Sequence, residues 1–188
     1  DKMLILKIRH HWPEAADFRL IRPRGNEGYT IFLFHTAVNL EFSGTAVPLK
    51  PGGCIIYPPN TAQYVSAQGP LLYSFIHITE DSAAFLRQFK LPLGQPFYPR
   101  DTEVLTNLLE KMEPEFFSQN PYREEMLDAM FRALLIILSR SAQESSPVVQ
   151  LKQEKHLDIK EIRQHVLSNP QRRWRRYTIA LLSVRKNV

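Results

Sequence analysis

The sequence predicts an α+β protein in which short β-strands come first and helices follow. Between residues 18 and 78, apolar and β-branched residues occur in short runs that turn residues interrupt about every ten positions. Beyond residue 79 the apolar residues recur at helical spacing instead. The chain has 188 residues, of which 44% are hydrophobic, enough for one good core or two small ones. These observations predict a sandwich or barrel followed by a helical part.

The first strands follow an N-terminal stretch without a clear period. We interpret residues 1–17 as an arm with at most one short strand, in which His10 and His11 form a solvated pair. Residues 17–22 alternate, so that Phe18, Leu20 and Arg22 share one face. A turn rich in proline and glycine follows, and residues 29–36 are dense in β-branched and aromatic residues typical of a strand.

The centre of the β part is the stretch at residues 52–63, GGCIIYPPNTAQ. Four apolar residues stand between Gly52-Gly53 and Pro58-Pro59-Asn60, which predicts a buried strand between two turns. Residues 37–49 before it and 63–78 after it are also strand-like. The stretch therefore lies in the middle of the predicted β domain.

The helical part contains two helices, which we expect to begin near Asp101 and near Asn120. The second carries a wide apolar stripe: Met126, Leu127, Met130, Phe131, Leu134, Leu135 and Leu138. One side of the stripe packs on the first helix. The other side forms either the chain's own core or a homodimer contact through Met126, Met130, Leu134 and Leu138.

The end of the chain differs from the rest in its balance of charged residues. Residues 141–153 begin with a polar, proline-ended linker, SAQESSP. Residues 150–188 carry ten basic and three acidic residues, whereas residues 1–149 carry fourteen and sixteen. A basic segment on a slightly acidic body suggests a polyanion partner for the tail, with a solvated helix face as the alternative.

Other features limit the class of protein. Cys54 has no second cysteine to pair with, which fits a reducing cytoplasm. No stretch has the length and apolarity of a membrane span, and the first residues show no leader pattern. We find no constellation of catalytic residues and therefore expect a cytoplasmic protein that is not an enzyme.

The central stretch partly matches a known metal-binding pattern. Gly52, Pro58, Asn60 and Gln63 fall on the second cupin motif, with asparagine for its second glycine and glutamine for its metal-binding histidine. At the histidine positions of the first motif stand Phe34 and Thr36, although Glu41 matches its carboxylate. One carboxylate and an amide cannot hold a catalytic metal, so we expect a cupin-like barrel without metal or other cofactor.

The chain as a whole resembles the AraC family of bacterial transcription regulators. Residues 22–29 (RPRGNEGY) look like the start of that family's sensor barrel, and residues 50–59 look like its PGD-hydrophobic-PPG segment. The two helices after residue 101 are similar to the pair that dimerises in the family. Residues 157–183 look like the first two helices of its DNA-binding domain.

This resemblance implies an organisation of the whole chain. An N-terminal arm (1–17) precedes a sensor and dimerisation domain (18–140), which is a jelly-roll type cupin-like barrel with an antiparallel helix pair. A linker (141–153) and an incomplete helix-turn-helix domain (154–188) follow. The recognition helix is expected just after Val188, so this sequence lacks it. The tail would contact only DNA phosphates, through Arg172, Arg173, Arg175 and Arg176.

The resemblance also implies that the barrel binds a small effector, over which the arm is expected to close. Strand alternation places Tyr73, Phe75 and His77 on one face. Aromatic faces with polar tips suit a sugar or a related metabolite. The expected effector-binding residues are Thr36, Gln63, Val65, Tyr73, Phe75 and His77. Plain core remains the alternative for Tyr73 and Phe75, and a structural role for His77.

Two other functions stay open. A metal-dependent cupin enzyme, an isomerase or an oxygenase, would contain a stoichiometric metal. A truncated inhibitor would dimerise with full-length regulators without reading DNA.

Overall fold

A computed structural model describes residues 5–144 of the chain. Eight strands within these residues precede three helices, which confirms the α+β prediction. The strands are β1 (Ile5–Glu14), β2 (Arg19–Arg22), β3 (Tyr29–Phe34), β4 (Val38–Phe42), β5 (Thr45–Leu49), β6 (Cys54–Tyr57), β7 (Gln63–Ala67) and β8 (Leu71–Ile78). The helices are α1 (Ala83–Gln88), α2 (Thr102–Phe117) and α3 (Arg123–Glu144), and a 3₁₀ turn at Glu80–Ser82 precedes α1.

The strands form two antiparallel sheets of four. The first sheet has the order β1-β8-β3-β6, and the second has the order β2-β7-β4-β5. The chain repeatedly crosses from one sheet to the other, so that β1, β3, β6 and β8 share the first. Helices α2 and α3 contact each other and pack on the outer face of this first sheet.

Alternation along the strands of the first sheet supplies two separate cores. All six residues of β3 are buried, because one face meets the helices and the other meets the second sheet. Ile31 and Leu33 belong to the helix-covered core, together with residues of α2 and α3. Phe32 and Phe34 belong to the inter-sheet core, together with residues of β4, β5 and β7.

The turn between β2 and β3 depends on two glycines of the stretch RPRGNEGY. Gly25 has φ of +64° and lies so close to the backbone of Thr61 that a side chain would collide with it. A Cβ on Gly28 would collide with the carbonyl oxygen of Ile78. These close approaches bring the start of β3 against the end of β8 and the turn before β7.

Two boundaries differ from the sequence prediction. Within the predicted arm, residues 5–14 form a ten-residue strand that pairs with β8. Its alternation is hidden in the sequence because a bulge shifts the register between Arg9 and Trp12. Helix α3 continues to Glu144, so residues 141–144 are helical and not part of a linker. The rest of the predicted linker and the domain at 154–188 lie outside the described residues.

None of the helices described between residues 5 and 144 combines the length and the apolar character needed to cross a membrane.

Candidate functional site

The middle of the inter-sheet core is filled by aromatic side chains. Phe32, Phe34, Tyr73 and Phe75 lie with ring centroids 5.6–6.3 Å apart. A cavity of about 10 Å³ beside them has room for about one water molecule. Because the middle is packed, the chemistry available to a ligand is found at the ends of this core.

At one end of the inter-sheet core, a chain of hydrogen bonds connects the two sheets. The buried amide of Gln63 on β7 donates from Nε2 to Thr30 Oγ1 on β3, over 3.3 Å. Gln63 Oε1 accepts from Arg22 Nη1 on β2, also over 3.3 Å. Asn26 Nδ2 donates to the same Thr30 hydroxyl over 2.8 Å. We call these four residues, together with Tyr57, Lys7 and His77, the polar end.

Tyr57 brings an unpaired hydroxyl to the polar end. It lies on β6 directly opposite Thr30 and is 1% exposed. Its hydroxyl has no hydrogen-bond partner in the described part of the chain. Burial raises the pKa of the Tyr57 phenol, so the group is a neutral donor. A buried polar group without a partner costs about 1–3 kcal/mol, and an acceptor supplied by a ligand would recover that cost.

The polar end carries positive charge. Burial, followed by the nearby charges of Arg22 and Lys7, lowers the pKa of His77 to about 4. His77 is therefore neutral near pH 7. The Lys7 ammonium lies 5.5 Å from the centroid of the Phe75 ring. Within residues 5–144 the Arg22 guanidinium bonds to an amide oxygen and makes no salt bridge.

One carboxylate, that of Glu14, reaches the inter-sheet core from β1. It hydrogen-bonds to the Tyr73 hydroxyl, whose pKa is raised to about 12. Burial is the main cause of that shift and Glu14 adds to it, whereas Arg22 opposes it. Tyr73 is therefore a neutral donor whose hydroxyl already has a partner, unlike that of Tyr57.

The structure divides the six predicted effector residues between different places. Val65, Tyr73 and Phe75 are buried in the inter-sheet core, and Gln63 and His77 lie at its polar end. Thr36 lies elsewhere, because its hydroxyl accepts the Leu72 N–H over 2.9 Å near the start of β8. His77 is near the other end of β8, about 16 Å along the strand from Leu72. The structure therefore does not bring the six residues together, because Thr36 and His77 lie toward opposite ends of β8.

Sequence reasoning missed five residues of the polar end: Lys7, Arg22, Asn26, Thr30 and Tyr57. For Arg22 a signal was present, because alternation places it on the same face as Phe18 and Leu20, which pack against the inter-sheet core. A charged residue that continues an apolar face is a candidate for a partly buried site. Tyr57 gave no such signal, because a strand residue between apolar neighbours looks like ordinary core.

Three histidines cluster outside the polar end. His10, His11 and His35 lie around Ser74, whose hydroxyl is 2.7 Å from His35 Nε2. Ser74 is fully buried beside the helix-covered core, so its hydroxyl is not accessible as a nucleophile. Burial likewise raises the pKa of the Cys54 thiol. In the described part, no group of three or more His, Cys, Asp or Glu side chains is arranged to hold a metal ion.

An open concavity of about 460 Å³ lies on the outer face of the second sheet. Its lining includes Arg19 and Glu41, whose charges are opposite. We regard the polar end as the better site, because charges of one sign and an unpaired buried donor meet there.

The four predicted dimer residues also differ in their exposure. Leu134 and Leu138 are each 2% exposed and belong to the helix-covered core. They are therefore not available for a dimer contact, because α3 turns this side of its stripe toward the sheet. Met126 is 49% exposed and Met130 is half-buried. The four arginines predicted to contact DNA, from Arg172 to Arg176, lie outside the described residues.

No family model matches the sequence, and no curated protein matches it. Solved structures do match. CuxR, an AraC-like transcriptional activator, is 11% identical over 80% of this chain and 56% of CuxR, with a TM-score of 0.50. ToxT from Vibrio cholerae O395, bound to (E)-4-(8-methylnaphthalen-1-yl)but-3-enoic acid, is 13% identical over 95% of this chain and 72% of ToxT, with a TM-score of 0.48.

A third match is ToxT from Vibrio cholerae strain SCE256 with unsaturated fatty acid bound. It is 13% identical over 97% of this chain and 70% of ToxT, with a TM-score of 0.48. At these identities the matches show a likeness of fold alone. The chain has a fold similar to that of the AraC-like regulator CuxR, of whose length it spans 56%.

Proposed function

We propose that the chain is the effector-sensing part of an AraC-like transcription regulator that works in the cytoplasm. The fold likeness to CuxR supports the class of protein. In this proposal the two sheets form a jelly-roll barrel that binds a small molecule without metal, and the chain is not an enzyme. The complete regulator binds DNA, with phosphate contacts from the tail: Arg172, Arg173, Arg175 and Arg176.

The unpaired hydroxyl of Tyr57 is the observation that carries the effector proposal. A group that only stabilises the fold would be hydrogen-bonded, whereas this donor is buried and unpaired, on a residue that lies opposite Thr30, the partner of the Gln63 amide. Arg22 adds a cation that makes no salt bridge within residues 5–144. The effector is therefore a small metabolite with hydroxyl groups and a carboxylate, such as a sugar acid, in place of the neutral sugar suggested by the aromatic residues alone.

Lys7 and Arg22 are the charged side chains through which the polar end reaches solvent. Lys7 is exposed and Arg22 is half-buried, so both side chains can swing toward solvent without unpacking the aromatic middle. Strand β2 has four residues and lies at the edge of its sheet, where it pairs with β7 alone. We therefore place the carboxylate of the ligand at Arg22 and its hydroxyl groups at Gln63 and Tyr57.

A thermal-shift comparison of D-glucuronate with D-glucose tests this function. A ligand at a hundred times its Kd stabilises the folded chain by about 2.7 kcal/mol, which raises Tm by about 5–10 °C for a chain of this size. We expect D-glucuronate to raise Tm and D-glucose to have a smaller effect. Arg22→Gln, which keeps a donor but removes the charge, should abolish the difference between the two.

Arg24→Gln is the matched control, because Arg24 is exposed in the adjacent turn. It should respond to both sugars as the unmodified chain does. Equal responses of the Arg22→Gln and Arg24→Gln variants to D-glucuronate would contradict the proposed site.

A homodimer through α3 completes the proposed function. Met126, Met130, Ala133 and Ile137 follow one another at helical spacing and remain exposed or half-buried. Met126→Lys should shift the chain from dimer to monomer in light scattering, while Glu125→Lys beside it should not. A monomer at all concentrations before substitution would contradict this part of the proposal.

A further inference from the structure

The histidine cluster fastens the second half of β1 to the sheet. Arg9 pairs with Phe75 and Trp12 with Tyr73, so two residues of β1 stand opposite Ser74 alone. His11, in this bulge, has φ of 47°, a strained conformation for a residue other than glycine. The bulge brings the His10 and His11 rings into a stack with centroids 3.9 Å apart. His35, which follows β3, meets the His11 ring edge-on at 4.3 Å.

The Ser74 hydroxyl is the centre of this cluster. Its Oγ accepts the His11 backbone N–H over 3.1 Å, and it lies 2.7 Å from His35 Nε2 and 3.4 Å from His10 Nδ1. A hydroxyl has one proton to donate and two lone pairs to accept with. With neutral imidazoles it can donate to one ring nitrogen and accept from the backbone. With His10 and His35 both protonated, three N–H groups would compete for two lone pairs.

We propose that the cluster of His10, His11 and His35 is a proton-sensitive fastening, which holds residues 10–14 on β8 while the His10 and His35 rings are neutral and releases them when these two rings are protonated. This inference concerns the fold alone and does not depend on the identity of the effector.

The other contacts of residues 10–14 are weak, so the histidine cluster contributes much of what holds this segment on β8. Ile8, in the first half of β1, is fully buried, whereas His11, Trp12 and Pro13 are exposed. A segment with few buried apolar contacts opens at lower cost than the core does. Beyond the cluster, residues 10–14 are held by the ladder to β8, by the Glu14 contact to Tyr73 and by the His10 backbone N–H, which donates to Glu113 Oε2 over 3.2 Å.

The surrounding charges set the direction of the effect. Burial, then His11 and His10, lowers the pKa of His35 to about 4. Burial and His11 lower the pKa of His10, while Glu110 and Glu113 on α2 oppose this. Arg9, which is 3.8 Å from Glu113, is the other charge at this position. The fastened state binds fewer protons than the released state, in which the pKa values of His10 and His35 return to about 6.5. Fastening is therefore complete above about pH 6.5 and is lost as the pH falls toward 4.

Trp12 lies inside the segment and reports its release. The chain has two tryptophans, so Trp174→Phe leaves Trp12 as the single fluorophore. In this background we expect acrylamide quenching of Trp12 to increase between pH 6.5 and 4, while far-UV circular dichroism keeps its value at pH 7.5. Addition of His10→Gln and His35→Gln should abolish the pH dependence, because glutamine does not titrate in this range.

Two single substitutions complete the test. His77→Gln removes another histidine of lowered pKa outside the cluster and should leave the Trp12 transition in place. Glu113→Gln removes a carboxylate that favours protonated His10, so it should move the midpoint to lower pH. The proposal is overturned if Glu113→Gln leaves the midpoint unchanged, or if the His10→Gln/His35→Gln variant keeps the transition. It is also overturned if Trp12 becomes accessible only together with loss of the circular dichroism signal.

Discussion

The helix-covered core and the inter-sheet core lie on opposite faces of β3 and β8, and they end in different ways. In the helix-covered core, Ile31, Ile76 and Leu105 surround a cavity of about 10 Å³ whose lining is almost wholly apolar. The inter-sheet core has a cavity of similar size, about 10 Å³, in its aromatic middle. At its polar end, however, it buries an amide, a threonine and an unpaired phenol.

This difference separates stability from function. Burial of apolar surface is sufficient to explain the helix-covered core, because large apolar side chains stabilise a fold without directional partners. The polar end lowers the stability of the fold, because its buried groups lose their hydrogen bonds to water and the Tyr57 hydroxyl gains none in return. A region that reduces stability is where a ligand can contribute most. Substitutions in the two cores should therefore have different and partly opposite effects.

The largest effect is expected from Phe131→Ala in the helix-covered core. Phe131 is fully buried, so its truncation should lower the free energy of unfolding by about 3–5 kcal/mol in chemical denaturation. Ile136→Ala on the same helix should change it by less than about 0.5 kcal/mol, since Ile136 is 39% exposed. A small effect of Phe131→Ala would mean that α3 does not pack on the first sheet as described.

Tyr57→Phe should act in the opposite direction. It removes a buried hydroxyl without a partner, so the free energy of unfolding should stay the same or rise by up to about 2 kcal/mol. The stabilisation by D-glucuronate should decrease in the same variant. Tyr29→Phe is the matched control in the helix-covered core and should leave the D-glucuronate response unchanged. A clear loss of stability in Tyr57→Phe would show that its hydroxyl has a partner.

The smallest effect is expected for His77→Gln, which should change the dependence of the stability on acid pH. The folded-state pKa of His77 is about 4, below its ordinary value, so folding excludes the proton. The stability associated with a neutral His77 is present above about pH 6.5 and is lost as the pH falls toward 4. His77→Gln should therefore reduce the acid-induced loss of stability by less than about 1 kcal/mol at pH 5, because solvent screens this half-buried group. Urea titrations at pH 7.5 and 5 measure this loss. A larger acid-induced loss of stability in His77→Gln than in the unmodified chain would contradict the lowered pKa of His77.

Local patterns predicted much of the two cores. The turn-bounded run at residues 52–63 became β6 between its turns, and the change of period at residue 79 marks where strands give way to helices. Alternation in β8 correctly placed Tyr73 and Phe75 on the same face, which is the inner one. Such features depend on the period of the backbone, which a sequence carries directly.

The remaining features depend on register and on partners distant in sequence. The stripe on α3 is apolar around Leu134 and Leu138 whether it meets a sheet or a second subunit, so its pattern does not distinguish the two. The bulge in β1 hid a strand and brought His10 near His35. The state of the Tyr57 hydroxyl depends on neighbours contributed by other strands. Pairings of this kind follow from tertiary structure.

The most direct test of a ligand site at the polar end is an NMR titration of the ¹⁵N-labelled chain with D-glucuronate. The side-chain amide of Gln63 is fully buried between Thr30 and Arg22, so its resonances report on this position. We predict large, saturable shifts of the Gln63 side-chain amide and small shifts along α3. Saturable shifts confined to the outer face of the second sheet, around Tyr64 and Asn39, with Gln63 unaffected, would contradict the account.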